Sequence, residues 1–178
     1  MNEIQSILEN KEKVIWEGKP QAPAYITSVV IISIIIGICV GIFLGAFLKS
    51  WISGVGFGID LFLVSVIVGS INYRVTHYAL TNRRAIYQGG IFGRSFKSVN
   101  YDDMKNASVT KGIFNWMFGT GTINVFTGEM QSTGGKYPQM APKYDTFLYI
   151  EDAYDVLKTL QEHLTKMEQG LYSGKARA

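Results

Sequence analysis

The strongest constraint on this chain is a run from Tyr25 to Tyr73 that holds two membrane-length apolar segments back to back. Tyr25–Leu48 carries no charged residue, and Trp51–Tyr73 carries only Asp60. Each approaches the roughly 20 apolar residues that span about 30 Å of hydrocarbon. Lys49 and Ser50 leave room only for a tight turn, so the pair reads as a helical hairpin. A soluble core would have to surround both helices, and a chain of 178 residues has too little mass left to do so. Residues 25–72 are therefore expected to form a two-helix hairpin within a bilayer.

What remains amounts to about one compact domain. The formal net charge of +3 is unevenly spread. Residues 73–150 carry nine basic and four acidic side chains, whereas 151–169 carry two basic and five acidic ones. This falls short of the clustered Lys and Arg of a nucleic-acid footprint, so no nucleic-acid partner is expected. It suits a domain held against an anionic leaflet. Cys39, the only cysteine, lies inside the first apolar segment, which excludes an internal disulfide or a thiolate metal site. Residues 1–20 are polar, and no cleavage signature follows the first apolar run, so that run is expected to be retained. Lys11, Lys13 and Lys19 before the hairpin and Arg74, Arg83 and Arg84 after it outweigh the lone Lys49 in the turn. The positive-inside rule then predicts a multi-pass cell-membrane protein with both termini and the soluble domain in the cytoplasm.

Gly37, Gly41 and Gly45 recur every four residues, a spacing that bares one helix face for close approach. Gly54, Gly58, Ser65 and Gly69 answer from the second segment. This pattern serves either packing within the hairpin or contact between protomers. Asp60 is the one ionisable group near mid-membrane, where carboxylates are costly and normally face protein or a water-filled cavity. It reads as a polar lock, in the helix packing or between protomers, because two helices alone cannot form a pathway.

The flanking residues show shorter periods. Ile4, Ile7 and Leu8 predict a short amphipathic helix within residues 2–15, followed by a turn-like Trp16–Pro20, so residues 1–24 read as an N-terminal segment. Trp16 suits either headgroup depth or packing on the soluble domain. Beyond Tyr73 the rhythm changes to period two. Thr81-Asn82-Arg83 separates two strands, and further strands are expected at 94–102, 106–111, 122–126 and 144–150, with a Gly/Pro-rich loop at 128–143. Such spacing predicts a small antiparallel barrel or sandwich over 73–169. The closing helix has Asp152 as its N-cap, a stripe of Ala153, Val156, Leu157, Leu160, Leu164 and Met167, and Gly170 as its stop. Residues 170–178 read as a flexible tail.

Four stretches give this order of elements a family likeness: VIWEGKP (14–20), YALTNRRAIYQGGIFGR (78–94), GIFNWMFGTGTINV (112–125) and IEDAYDVLKTL (150–160). Together they resemble bacterial pleckstrin-homology (PH) domain proteins anchored by two transmembrane helices. The resemblance implies an α+β membrane protein: a transmembrane hairpin, then a PH-like antiparallel β-barrel or sandwich closed by a C-terminal α-helix. It implies a location more than an activity, because fold alone does not fix function.

No catalytic set is legible. His77 and His163 lie far apart, there is no nucleophile elbow or P-loop, and Gly119-Thr-Gly121 lacks the Lys and helix of a phosphate loop. No enzyme activity, cofactor or metal is expected. Arg83, Arg84, Arg94 and Lys97 form the candidate headgroup-binding set, since basic residues around the first hairpin of PH domains can hold anionic headgroups and Arg suits phosphate. Ordinary attraction of a tethered domain to its leaflet accounts for the same charges. Phe114, Trp116, Met117 and Phe118, with Ile113, form an apolar knot that either caps the core or contacts lipid or a partner; aromatic clusters beside small barrels favour the core. The expected partners are the bilayer, anionic lipid, and other membrane proteins or further copies of this chain.

Overall fold

The computed structural model describes residues 3–90, 95–134 and 138–175, with Glu3 and residues 166–175 as backbone only. Two helices, α1 (Ala22–Phe47) and α2 (Trp51–Val75), form the antiparallel hairpin, and both are long and apolar enough to cross a bilayer. Ser50 caps α2 through Ser53 N–H, and Lys49 takes a left-handed φ of 51° to close the turn. The helices touch along their glycines. A Cβ at Gly54 would lie 2.5 Å from Gly41 O, and one at Gly37 would lie 2.8 Å from Gly58 O. Backbone therefore meets backbone, as small-xxx-small faces allow. Ser33 Oγ and Ser65 Oγ, 2.7 Å apart, and the Asn72 amide donating to the Tyr25 hydroxyl at 2.9 Å satisfy the polar groups of this seam.

Among the described residues, seven strands build two antiparallel sheets. β1 (Val14–Gly18), β2 (His77–Thr81), β3 (Arg84–Gly89) and β4 (Ser95–Asn100) lie in that order. β5 (Asn106–Thr110), β6 (Thr120–Thr133) and β7 (Gln139–Glu151) make the second sheet. A short helix α3 (Ile113–Phe118) joins β5 to β6, and α4 (Ala153–Lys175) follows β7. One core unites both sheets and α4: Leu80, Ala85 and Val99 from the first, Ile123, Val125 and Phe147 from the second, and Val156 and Leu160 from the helix. Each sheet keeps two free edges, so the domain is two apposed sheets and not a closed barrel.

Several expectations change. Val14–Gly18 is a strand, not a turn: Gly18 pairs with Tyr78 and Glu17 with Ala79. The first sheet therefore begins before the hairpin, and the hairpin is inserted in the connection from β1 to β2. Residues 3–7 form a 3-10 turn that lays Ile4 against Ala79 and Ile86 on the outer side of that sheet. Within the expected loop at 128–143, the residues from Met130 to Thr133 and from Gln139 to Pro142 pair as a two-stranded ribbon, with Met130 opposite Pro142 and Thr133 opposite Gln139. Gly170 does not end the last helix, whose backbone runs on to Lys175.

Candidate functional site

The junction between the hairpin and the sheets is the most elaborated polar region of the chain. Between Phe147 and Ile150, β7 bulges: two residues, Leu148 and Tyr149, oppose the single Thr122 of β6, and Tyr149 takes a φ of 52°. A bulge removes two groups from the ladder, and here both find partners elsewhere. Leu148 N–H donates to the Tyr78 hydroxyl at 3.1 Å, and the Tyr149 carbonyl accepts the N–H of Gln21, just before α1, at 2.8 Å. The Tyr25 ring meets Tyr149 edge-on at 6.1 Å and Tyr73 at 5.6 Å. The start of α1, the end of α2 and β7 are thus fastened at one point. Trp16 completes the junction from β1, its ring 6.1 Å from Phe147. Burial pushes the Tyr78 hydroxyl up to about 12, keeping it a neutral donor and acceptor.

The four headgroup candidates do not converge. Arg84 is bound to Glu12, whose side chain has no solvent exposure: Nε to Oε1 is 3.0 Å and Nη2 to Oε2 is 2.9 Å. Arg84 Nη2 also donates to Ile7 O at 3.1 Å. Arg83 pairs with Glu9 at 3.0 Å, and Lys97 with Asp145 of the opposite sheet. The register sets Lys97 across from Tyr87, facing the core side, while Arg84 shares the opposite face with Ile86. Arg94 lies outside the described residues. Every described member of the set is thus already neutralised by a carboxylate far away in sequence.

Burial alone would raise the Glu12 carboxyl. Hydrogen bonds from Arg84, Glu9 N–H and the Thr81 hydroxyl, with the charge of Arg84, reverse this and hold it at about 2. The same contacts raise Arg84 further, Glu12 being the main cause. Glu12 was not singled out by sequence, where it is one of several charges in a polar leader. Its one signal was the apolar residues around it, Ile7, Leu8 and Val14, which needed a surface to cover.

Asp60 does not lock the hairpin. The seam positions Gly54, Gly58, Ser65 and Gly69 follow the helical repeat, and a residue two beyond Gly58 lies on the far side of α2. Asp60 is exposed there and has no hydrogen-bond partner among the described residues. Gly56, one turn earlier, likewise faces open space.

The apolar knot is not core. Ile113, Trp116 and Met117 are 81%, 82% and 52% exposed, whereas Asn115 is buried. Phe114 and Phe118 are half-buried. Burial was expected because the residues are aromatic. The helix instead turns its polar Asn115 inward, where its amide donates to Thr122 Oγ1 at 3.1 Å and its carbonyl accepts from Thr120 Oγ1 at 2.8 Å.

A cleft of about 750 Å³ opens between the β1–α1 connection and the start of α4, bordered by Glu17, Lys19, Gln21, Glu151, Asp152 and Asp155. Its four carboxylates against one Lys oppose an anionic ligand. Among the described residues no group of His, Cys, Asp and Glu is arranged to hold a metal. His77, near the junction, is held below its usual range by burial and then by Lys19, and is neutral at pH 7.

The model of the bacterial PH domain family matches residues 22–164, and the chain belongs to that family. The match starts after β1, so it includes the hairpin. A crystal structure of a DUF1696 family protein with a pleckstrin-homology domain, from Shewanella loihica PV-4, is similar at 19% identity. That likeness covers 50% of this chain and 70% of the other, with a TM-score of 0.32. No curated protein is similar enough to count as a match.

Proposed function

We propose that this chain is a membrane-anchored PH module that recruits or scaffolds proteins at the cytoplasmic face, without catalysing a reaction. On this reading the hairpin crosses the bilayer and both termini stay in the cytoplasm, as the Lys and Arg around its open end favour. PH domains are generally non-catalytic binding modules. The observation that carries the scaffolding reading is the junction itself. A backbone hydrogen bond from Gln21 to Tyr149, a bulge and three tyrosine rings join hairpin to sheet, which suits presentation of a surface at a set angle. A headgroup receptor needs free cations instead, and here Arg83, Arg84 and Lys97 are paired internally. Self-association belongs to the outer face of α2, where Gly56 has open space and Asp60 has no hydrogen-bond partner among the described residues, since Gly37, Gly41 and Gly45 are used within the hairpin.

Two measurements test this. Trypsin added to sealed vesicles of either orientation is expected to cut the domain only when the cytoplasmic face is outward; cutting in the other orientation refutes the topology. Proteoliposomes of phosphatidylcholine, with and without phosphatidylglycerol, are expected to give the same domain melting temperature, because a bound headgroup would add stability by mass action. A rise with phosphatidylglycerol that Arg83→Ala abolishes would replace scaffolding by headgroup binding.

A further inference from the structure

We infer that α3 is a lipid-facing wedge: its Ile113, Trp116 and Met117 enter the outer part of the leaflet beside α1 and fix the tilt of the domain on the membrane. The inference rests on the reading of the hairpin as membrane-spanning and adds a third contact with the same bilayer.

The residues divide cleanly by helical position. Ile113, Trp116 and Met117 stand at i, i+3 and i+4, which is one face. Asn115 occupies the opposite side and is tied to Thr120 and Thr122. Gly119, with a φ of 68°, ends the helix and turns the chain into β6. These bonds hold the apolar face outward and stop the helix from rolling over to bury it. Water-facing display of three such side chains is unfavourable. Each large apolar side chain left in water forgoes the free energy of burial, which grows with the area exposed.

The surroundings indicate what covers this face. α3 packs alongside α1. Thr120, one residue past Gly119 at the end of α3, pairs with Glu151, while Gln21, directly before α1, bonds to Tyr149, so both elements leave the same end of β7. That end is where polar chain gives way to apolar helix: Lys19 precedes α1, and Ile26 is the first large apolar residue of α1 to be exposed. Ala24, Tyr25 and Ser28 are already buried by protein at this level. A face left open by both α1 and β6 at this height meets either the lipid around α1 or the water just above it. Three large apolar groups choose the lipid, and Trp is the residue most at home at that boundary. Lys111 precedes the helix, its ammonium 4.8 Å above the Tyr154 ring.

The test uses the full chain in proteoliposomes, with Cys39→Ala as background and single nitroxide labels at Ile113→Cys, Trp116→Cys, Phe57→Cys and Thr165→Cys. All four positions are exposed, so the labels fit without disturbing packing. Collision rates with oxygen, which concentrates in lipid, are compared with those of a water-soluble nickel chelate. Labels at Ile113 and Trp116 are expected to favour oxygen as the Phe57 label does, while Thr165 favours nickel. If Phe57 is lipid-like and Ile113 and Trp116 are water-like, the wedge is wrong and the anchor stands. If Phe57 is also water-like, the membrane reading fails and takes the wedge with it. Spin–spin broadening at Trp116 that grows with chain density would put a second copy on this face instead of lipid, and so would overturn the inference.

Discussion

The Glu12–Arg84 pair ties the leader to the sheet, and its removal should be the most damaging polar change in the domain. Glu12 falls from 4.5 to about 2 on folding. At about 1.36 kcal/mol for each tenfold change in proton affinity, that depression amounts to about 3 kcal/mol of stability at neutral pH. Breaking a buried pair by removing one partner independently suggests about 3–5 kcal/mol. Because the folded pKa is depressed, the contribution is complete above the unfolded value of 4.5 and is lost as pH falls toward 2. By pH 3 the linkage relation leaves wild type short of about 2 kcal/mol. Glu12→Gln lacks this titration, so the gap between the two proteins should close by that amount between pH 7 and pH 3. Other carboxylates titrate in both proteins and cancel. Urea unfolding in detergent, followed by Trp16 emission in a Trp51→Phe, Trp116→Phe background, gives both curves. A gap under about 0.5 kcal/mol at pH 7, or one that does not change with pH, would show that the pair holds nothing together.

Two further outcomes follow from the geometry. Gly54→Val should disrupt the hairpin seam by about 1–3 kcal/mol or more, because its Cβ meets Gly41 O at 2.5 Å, whereas Gly56→Val, with open space around it, should be neutral; thermal melts in one detergent compare them. Replacing residues 20–76 by Asn-Gly should give a soluble domain that retains β1, since Gly18 and Tyr78 are already paired and a two-residue turn matches that geometry. A chain starting at Arg74 should instead aggregate through the bared edge of β2, as light scattering would show.

The sequence disclosed what local patterns encode. Thr81-Asn82-Arg83 marked the β2–β3 turn, and the spacing of Val156, Leu160 and Leu164 marked the buried stripe of α4. Strand β1 escaped because its partner lies some 60 residues on and both Ile15 and Trp16 are apolar, which blurs the period-two signal. The ribbon within 128–143 escaped because Pro138, Pro142 and Gly134 speak for a loop, yet Pro is tolerated on an edge strand. The basic residues misled for a related reason. A row of cations near one turn looks available until distant carboxylates, Glu12 and Asp145, are folded onto it. The apolar knot was legible as a group but not in its direction, because one period cannot tell a face turned to the core from one turned outward.

On the proposed reading of the hairpin as membrane-spanning, its insertion between β1 and β2 also bears on how the domain leaves a membrane. In a module appended after its anchor, one proteolytic nick releases a soluble fragment. Here a nick between Gly18 and α1 leaves the sheets tethered through α2. A nick after Val75 leaves them held through β1, four of whose five residues pair with β2 and which is still joined to α1. Shedding requires both strands of the tether to be cut, and the freed domain would then carry β1 as a separate peptide. After a single nick beyond Val75, loss of the domain requires β1 to come out of the sheet, so single-site cleavage does not release a folded domain.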